Sequence, residues 1–152
     1  MTGTVERDQS PPLVCRGIRG ATTVRENTAE EILEATSDLL TALIQLNAIT
    51  PDDVTSAIFT TTTDLTASFP ALAARDLGWT EVPLLCTHEM AVPGALGMVV
   101  RILLHVNTTR AHADIRHLYL RDARALRPEW GMADNELREI VAGAPALAAN
   151  PV

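Results

Sequence analysis

From Leu96 to Thr108 polar and apolar positions follow a two-residue rhythm. Met98, Val100, Ile102, Leu104 and Val106 fall on one side, and Val99, Arg101, Leu103, His105 and Asn107 on the other. This predicts a long strand with one core face. Between Thr28 and Asn47 the rhythm changes to that of a helix. Thr28-Ala-Glu-Glu31 reads as a capping box, and Ile32, Ala35, Leu39, Leu40, Leu43, Ile44 and Leu46 repeat at helical spacing. An amphipathic helix over 29–47, packed on a sheet, is therefore expected.

The remaining elements follow from shorter patterns. LVCRGIR (13–19) is a strand running into Gly20-Ala21-Thr22-Thr23, where small residues let the backbone approach a neighbour closely. Thr50-Pro51-Asp52-Asp53 makes a turn into the β-branched strand 54–63. Ser68-Phe69-Pro70 opens a second helix, with Ser68 as its cap and Gly78 closing it, and on base rates Phe69 belongs to the core or staples that helix. Strands at 81–86 and 115–120 and a weak helix at 134–141 complete the reading. The order strand, helix, strand, helix, strand, strand, strand implies an α+β fold, a mixed β-sheet with helices packed on one face. The other face, only partly polar, predicts association of identical subunits.

With 152 residues the chain fits one domain, here 13–130. A polar, disordered leader (1–12) precedes it and a weakly structured tail (131–152) follows. Aromatic residues are 3% of the chain and the net charge is −7, which together argue against a nucleic-acid partner. MTGTVERDQSPP lacks the apolar core of a signal peptide, and no apolar run approaches the ~20 residues of a membrane span. Cys15 and Cys86 form neither a CxxC pair nor a disulfide framework, so a reduced, cytoplasmic setting is expected. His88, His105, His112 and His117 show no metal-binding spacing, and neither metal nor cofactor is expected.

The polar residues that stand out are Arg19, Arg75, Cys86, Glu89, Arg101, Tyr119 and Arg127. Arg101, set among apolar residues, needs an anionic partner, either Glu89 before the Pro93-Gly94 turn or a bound anion. Taken alone, it can equally be an arginine snorkelling from an edge strand. Several arginines, one carboxylate, a thiol and a phenol suit a ligand with two carboxylates and a hydroxyl. They include no activated nucleophile. A reaction without a covalent step needs only orientation and a fixed cation where negative charge grows.

Five segments, GIRGATTVRENTAEEIL, DLTASFPALAARDLGW, VPLLCTHEMAVPGAL, VVRILLHVNT and IRHLYLRDARALRPEW, resemble the AroH-class chorismate mutases in order and spacing from Val14 to Trp130. The resemblance implies a homotrimeric pseudo-α/β-barrel with active sites at the subunit interfaces. It also implies cofactor-free rearrangement of chorismate to prephenate in aromatic amino-acid biosynthesis. By that resemblance Arg101 stands beside the ether oxygen of the breaking bond, and Arg19 holds a carboxylate. Glu89 and Cys86 meet the ring hydroxyl, Tyr119 contacts a carboxylate, and Leu84 and Leu85 line the substrate. Phe69, Ala71 and Arg75 come from the neighbouring subunit, and Leu126 and Arg127 cover the mouth. One departure is Leu72, where the family often has Lys. Two other readings remain at this stage. One is an imine deaminase of similar architecture, told apart by hydrolysis of 2-imino acids. The other is a trimeric carboxylate-binding or regulatory module that binds chorismate without turnover.

Overall fold

The structure, a computed structural model, describes residues 3–145. The part of the expected leader at 1–2 and the part of the expected tail at 146–152 lie outside them. Among the described residues five strands form one mixed sheet in the order β3-β2-β4-β1-β5. The strands are β1 (Val14–Thr23), β2 (Val54–Thr61), β3 (Leu84–His88), β4 (Val99–Thr108) and β5 (Leu118–Tyr119). Between them run α1 (Ala29–Asn47) and α2 (Ala71–Asp76), and α3 (Asp134–Gly143) follows β5. The α+β class and the order of elements agree with the sequence reading.

β4 is the central plank, antiparallel to β1 on one side and to β2 on the other. Its alternation holds: Ile102, Leu104 and Val106 are buried with Ile18 of β1, Phe59 of β2 and Leu39, Leu40 and Leu43 of α1. This is the covered face. α1 has the predicted bounds because Thr28 caps it, its hydroxyl accepting the Glu31 N–H at 3.2 Å. Only that half of the capping box forms, since the Thr28 N–H donates to the Glu26 carbonyl.

Several boundaries differ from the expectation, among them β2, which stops at Thr61 instead of residue 63, and α3, which runs to Gly143 instead of residue 141. β1 continues through Thr23, and the neighbour that its small residues admit is α1. A side chain at Gly20 would meet Leu43 Cδ1 at 2.8 Å and Leu39 Cδ1 at 3.0 Å. β3 starts at Leu84 instead of Glu81, as the chain needs Pro83 only to accept the Ala57 N–H before pairing with β2. β4 begins at Val99, because Met98 takes a left-handed φ of 57°. β5 shrinks to Leu118–Tyr119: the Arg19 N–H donates to the His117 ring, Nδ1, at 3.0 Å, so a side chain replaces the ladder bond. Ser68 does not cap α2, whose first turn is set by Pro70, while Gly78 ends it as expected with φ 88°.

The close approach at Gly20 yields a test of the layer packing. Gly20→Val should lower the unfolding free energy in urea by about 1–3 kcal/mol, because Leu39 and Leu43 must leave their places.

Candidate active site

The sheet's uncovered face is fixed by strand register. Opposite Arg101 stand Ala21 of β1 and Thr60 of β2, and opposite Leu103 stand Arg19 and Ile58. Leu85 and Thr87 of β3 share that face through their pairing with Ile58 and Thr60. Arg101 and Arg19 thus rise from neighbouring strands on one surface, set there by the period-two pattern of each.

Arg101 keeps 18% of its side-chain surface, and its Nη1 lies 3.9 Å from Glu89 Oε2. That separation is an ion pair without a hydrogen bond. Among the described residues, Arg101 Nη1 is the one buried side-chain nitrogen or oxygen with no hydrogen-bond partner. Glu89 is held from behind: its N–H donates to the Thr61 carbonyl at 2.8 Å, and the Thr60 hydroxyl donates to Oε2 at 3.4 Å. The snorkelling alternative for Arg101 is set aside, since β4 is central and the guanidinium is largely covered.

At the β1 side a second group gathers. Tyr119 is 2% exposed and packs with Ala21, Val99 and Ala123, which leaves its ring a structural part of the site's floor. Trp130 lies against it with ring centroids 5.7 Å apart and against His117 at 4.3 Å. The Arg127 guanidinium sits 3.7 Å over the Trp130 ring, and its Nε donates to Glu129 Oε1 at 2.6 Å. Leu126, just before it, is exposed. Burial, reinforced by the charges of Arg127, Arg19 and His112, holds the His117 imidazole below its ordinary range. It is a neutral acceptor for the Arg19 N–H, and so ties Arg19 to the Trp130 stack.

The third group lies at the other edge. α2 and β3 enclose a cleft of about 360 Å³ lined by Phe69, Ala71, Leu72, Arg75, Leu84, Leu85 and Cys86. A neighbouring cleft of about 430 Å³ shares Phe69 and Cys86 with it. Phe69 is 69% exposed, which overturns the expectation that it joins the core or staples the helix. Cys86 pairs with Phe59, whose side chain is on the covered side, so its thiol belongs with α2 and not with Glu89 and Arg101 on the open face. Within one chain, therefore, the Cys86 side chain stands apart from Glu89, which follows the end of β3.

The structure therefore puts Arg101, Glu89 and Arg19 on one face with Tyr119 and, through Trp130, Arg127 next to them, while Leu126 is exposed beside Arg127; Phe69, Ala71, Arg75, Leu84 and Cys86 line the edge cleft, whose remaining wall, Leu85, also belongs to the open face. Sequence reasoning missed Thr60, His117 and Trp130. Thr60 was legible only once β2 and β4 were paired in register, and the stack only once β5 was docked on β1. Among the described residues no group of three or more His, Cys, Asp or Glu side chains is arranged to hold a metal ion. No helix among them is long and apolar enough to cross a membrane.

A mixed sheet with arginines on one open face and a cleft at its edge defines an α+β protein built to hold an anionic small molecule. The sequence model of the family described as chorismate mutase type I matches residues 15–130. Chorismate mutase AroH of Thermus thermophilus is 48% identical over 115 residues, 75% of this chain and 94% of that protein. Chorismate mutase AroH of Bacillus subtilis (strain 168) is 44% identical over 124 residues, 81% of this chain and 98% of that protein. A solved chorismate mutase structure from Clostridium thermocellum superposes with a TM-score of 0.72 at 48% identity, covering 72% of this chain and 98% of the other. The chain belongs to the type I chorismate mutases, which are isomerases.

The His117 contact has a pH signature. Its lowered pKa means that the fold favours the neutral ring, so the stabilisation is complete above the unfolded value of about 6.5 and is lost as pH falls through the lowered one. Urea unfolding should show wild type losing more stability than His117→Gln between pH 7.5 and 5, since Gln keeps an acceptor for the Arg19 N–H without titrating.

Proposed function

We propose that this protein rearranges chorismate to prephenate in aromatic amino-acid biosynthesis, as a cofactor-free cytoplasmic homotrimer whose pseudo-α/β-barrel completes each active site at a subunit interface. The catalytic unit is 13–130. The observation that carries the reading is Arg101 Nη1, buried, without a hydrogen bond, and 3.9 Å from its nearest carboxylate. A donor left unpaired in a low-dielectric setting is costly unless a ligand oxygen fills it.

The rearrangement breaks a carbon–oxygen bond while a carbon–carbon bond forms within one molecule. No nucleophile or proton carrier takes part. Negative charge grows on the ether oxygen as the bond lengthens, and Arg101 is the cation placed to meet it. A full charge about 3 Å from a cation at an effective dielectric near 20 interacts by roughly 5 kcal/mol. With about half a charge developed, Arg101 contributes on the order of 2 to 3 kcal/mol, roughly a hundredfold in rate. Orientation of the side chain over the ring supplies the rest.

In this reading Arg19 and Tyr119 hold carboxylates, and Glu89 accepts from the ring hydroxyl. Leu126 and Arg127 close the mouth once Arg127 leaves Glu129. Phe69, Ala71, Arg75, Leu84, Leu85 and the backbone of Cys86 come from the adjoining copy. Support for that division is the set of exposed Phe69, Leu72 and Leu85 with half-buried Ile58 and Leu103, an apolar surface that runs from the edge cleft onto the open face and is suited to a second copy.

Purified protein should consume chorismate saturably in the presence of a chelator, with product that acid converts to phenylpyruvate. Arg101→Ala should lower kcat by roughly a hundredfold or more with an unchanged circular-dichroism spectrum, and Arg101→Lys should recover little of it. Co-refolding Arg101→Ala with Arg75→Ala should regenerate about a quarter of wild-type activity, because random assembly makes that share of interfaces intact. Full activity in Arg101→Ala, or no regeneration on mixing, would contradict the scheme.

A further inference from the structure

We propose that Asp64 is a positioning residue for this reaction: it fixes the start of β4, and through it the place of Arg101. The inference rests on the mutase reading above. Asp64 lies in the turn after β2, and its carboxylate bonds to the backbone around Met98 and to Thr62, with neither Arg101 nor Glu89 among its hydrogen-bond partners. Both its carboxylate oxygens accept the Met98 N–H, at 2.9 and 3.2 Å. Its Oδ1 also accepts the Thr62 hydroxyl, and Thr62 Oγ1 in turn accepts the Val99 N–H at 3.0 Å. The Thr62 N–H donates to the Val99 carbonyl at 3.0 Å, and on the far side the Val24 N–H donates to the Met98 carbonyl at 2.8 Å. The peptide groups on either side of Met98 are thus gripped from the segments that follow β2 and β1.

That grip holds a conformation the chain would not choose. Met98 has φ 57°, in the left-handed region that a side chain disfavours, so its surroundings must maintain it. Gly97 makes the approach possible: a Cβ there would lie 2.6 Å from Asp64 Oδ2. Glu89, at the other end of the same loop, is tied to the end of β2 by its N–H bond to the Thr61 carbonyl. The end of β2 therefore closes both ends of the loop between Glu89 and Arg101. Because Arg101 Nη1 has no hydrogen bond among the described residues, backbone placement must set where that charge stands. Asp64 sets that backbone.

The test uses Asp64→Ala and Asp64→Asn in the full chain, with kcat and KM for chorismate, thermal melting, and the Arg101 Nε–Hε resonance assigned by its loss in Arg101→Lys. Asp64→Ala is expected to lower kcat roughly ten- to hundredfold. KM should change little, and the Arg101 resonance should shift or broaden while the protein remains folded. Asp64→Asn, which keeps one oxygen for the Met98 N–H, should recover most of the rate. A folded Asp64→Ala with wild-type kcat, or a loss that vanishes once corrected for folded fraction while the Arg101 resonance stays put, overturns the proposal. Should Asp64→Ala fail to fold, Gly97→Ala, which presses on Oδ2, carries the same readouts. Movement of the resonance in a wild-type protein background that does not turn chorismate over would support the clasp and refute the mutase reading.

Discussion

A guanidinium kept mostly out of water with one nitrogen unpaired is the constraint around which this molecule is arranged. Left alone, such a group would cost the fold several kcal/mol. Glu89 offsets part of that cost by charge, from 3.9 Å, without occupying the donor. A bidentate pair would be more comfortable for the folded chain and useless to a ligand. Thr60, by donating to the same Glu89 oxygen, helps keep the carboxylate back.

Each remaining group of the site solves a different problem. The Arg127–Trp130–His117 stack holds a mobile type of side chain against a rigid aromatic surface, and the Arg19 N–H ties that stack to β1. The Glu129 carboxylate occupies Arg127, and the hydrogen bond holds its pKa below the ordinary carboxylate range. The α2–β3 cleft contributes shape and one cation, Arg75, with Leu72 making its wall more apolar than a lysine would. Neither half is a complete pocket for a dianion, which is why the functional unit is read as more than one chain.

What the sequence revealed depended on whether the cause was local. α1 was legible to the residue because its cap and its apolar stripe lie within one segment, and β4 because alternation alone sorts its faces. β5 was overestimated, since a histidine side chain 98 residues from Arg19 takes the bond that a strand would have used. Phe69 was assigned inward because hydrophobicity reports the wish to be buried and not by which chain. Thr62 read as part of a strand, and its role beside Asp64 became visible only with Met98 in a left-handed turn.

The strand order β3-β2-β4-β1-β5 also bears on how the protein is made. β1, made before the other four strands of this sheet, pairs among the described residues with β4 and β5, which are the last two. Its ladder must wait for nearly the whole chain, and such non-local pairing slows folding and lengthens the life of exposed edges. The strand that carries Arg101 is thus also the wedge that joins the β2–β3 pair to β1 and β5. The strand that places the charge is also one whose pairing must wait for the late part of the chain.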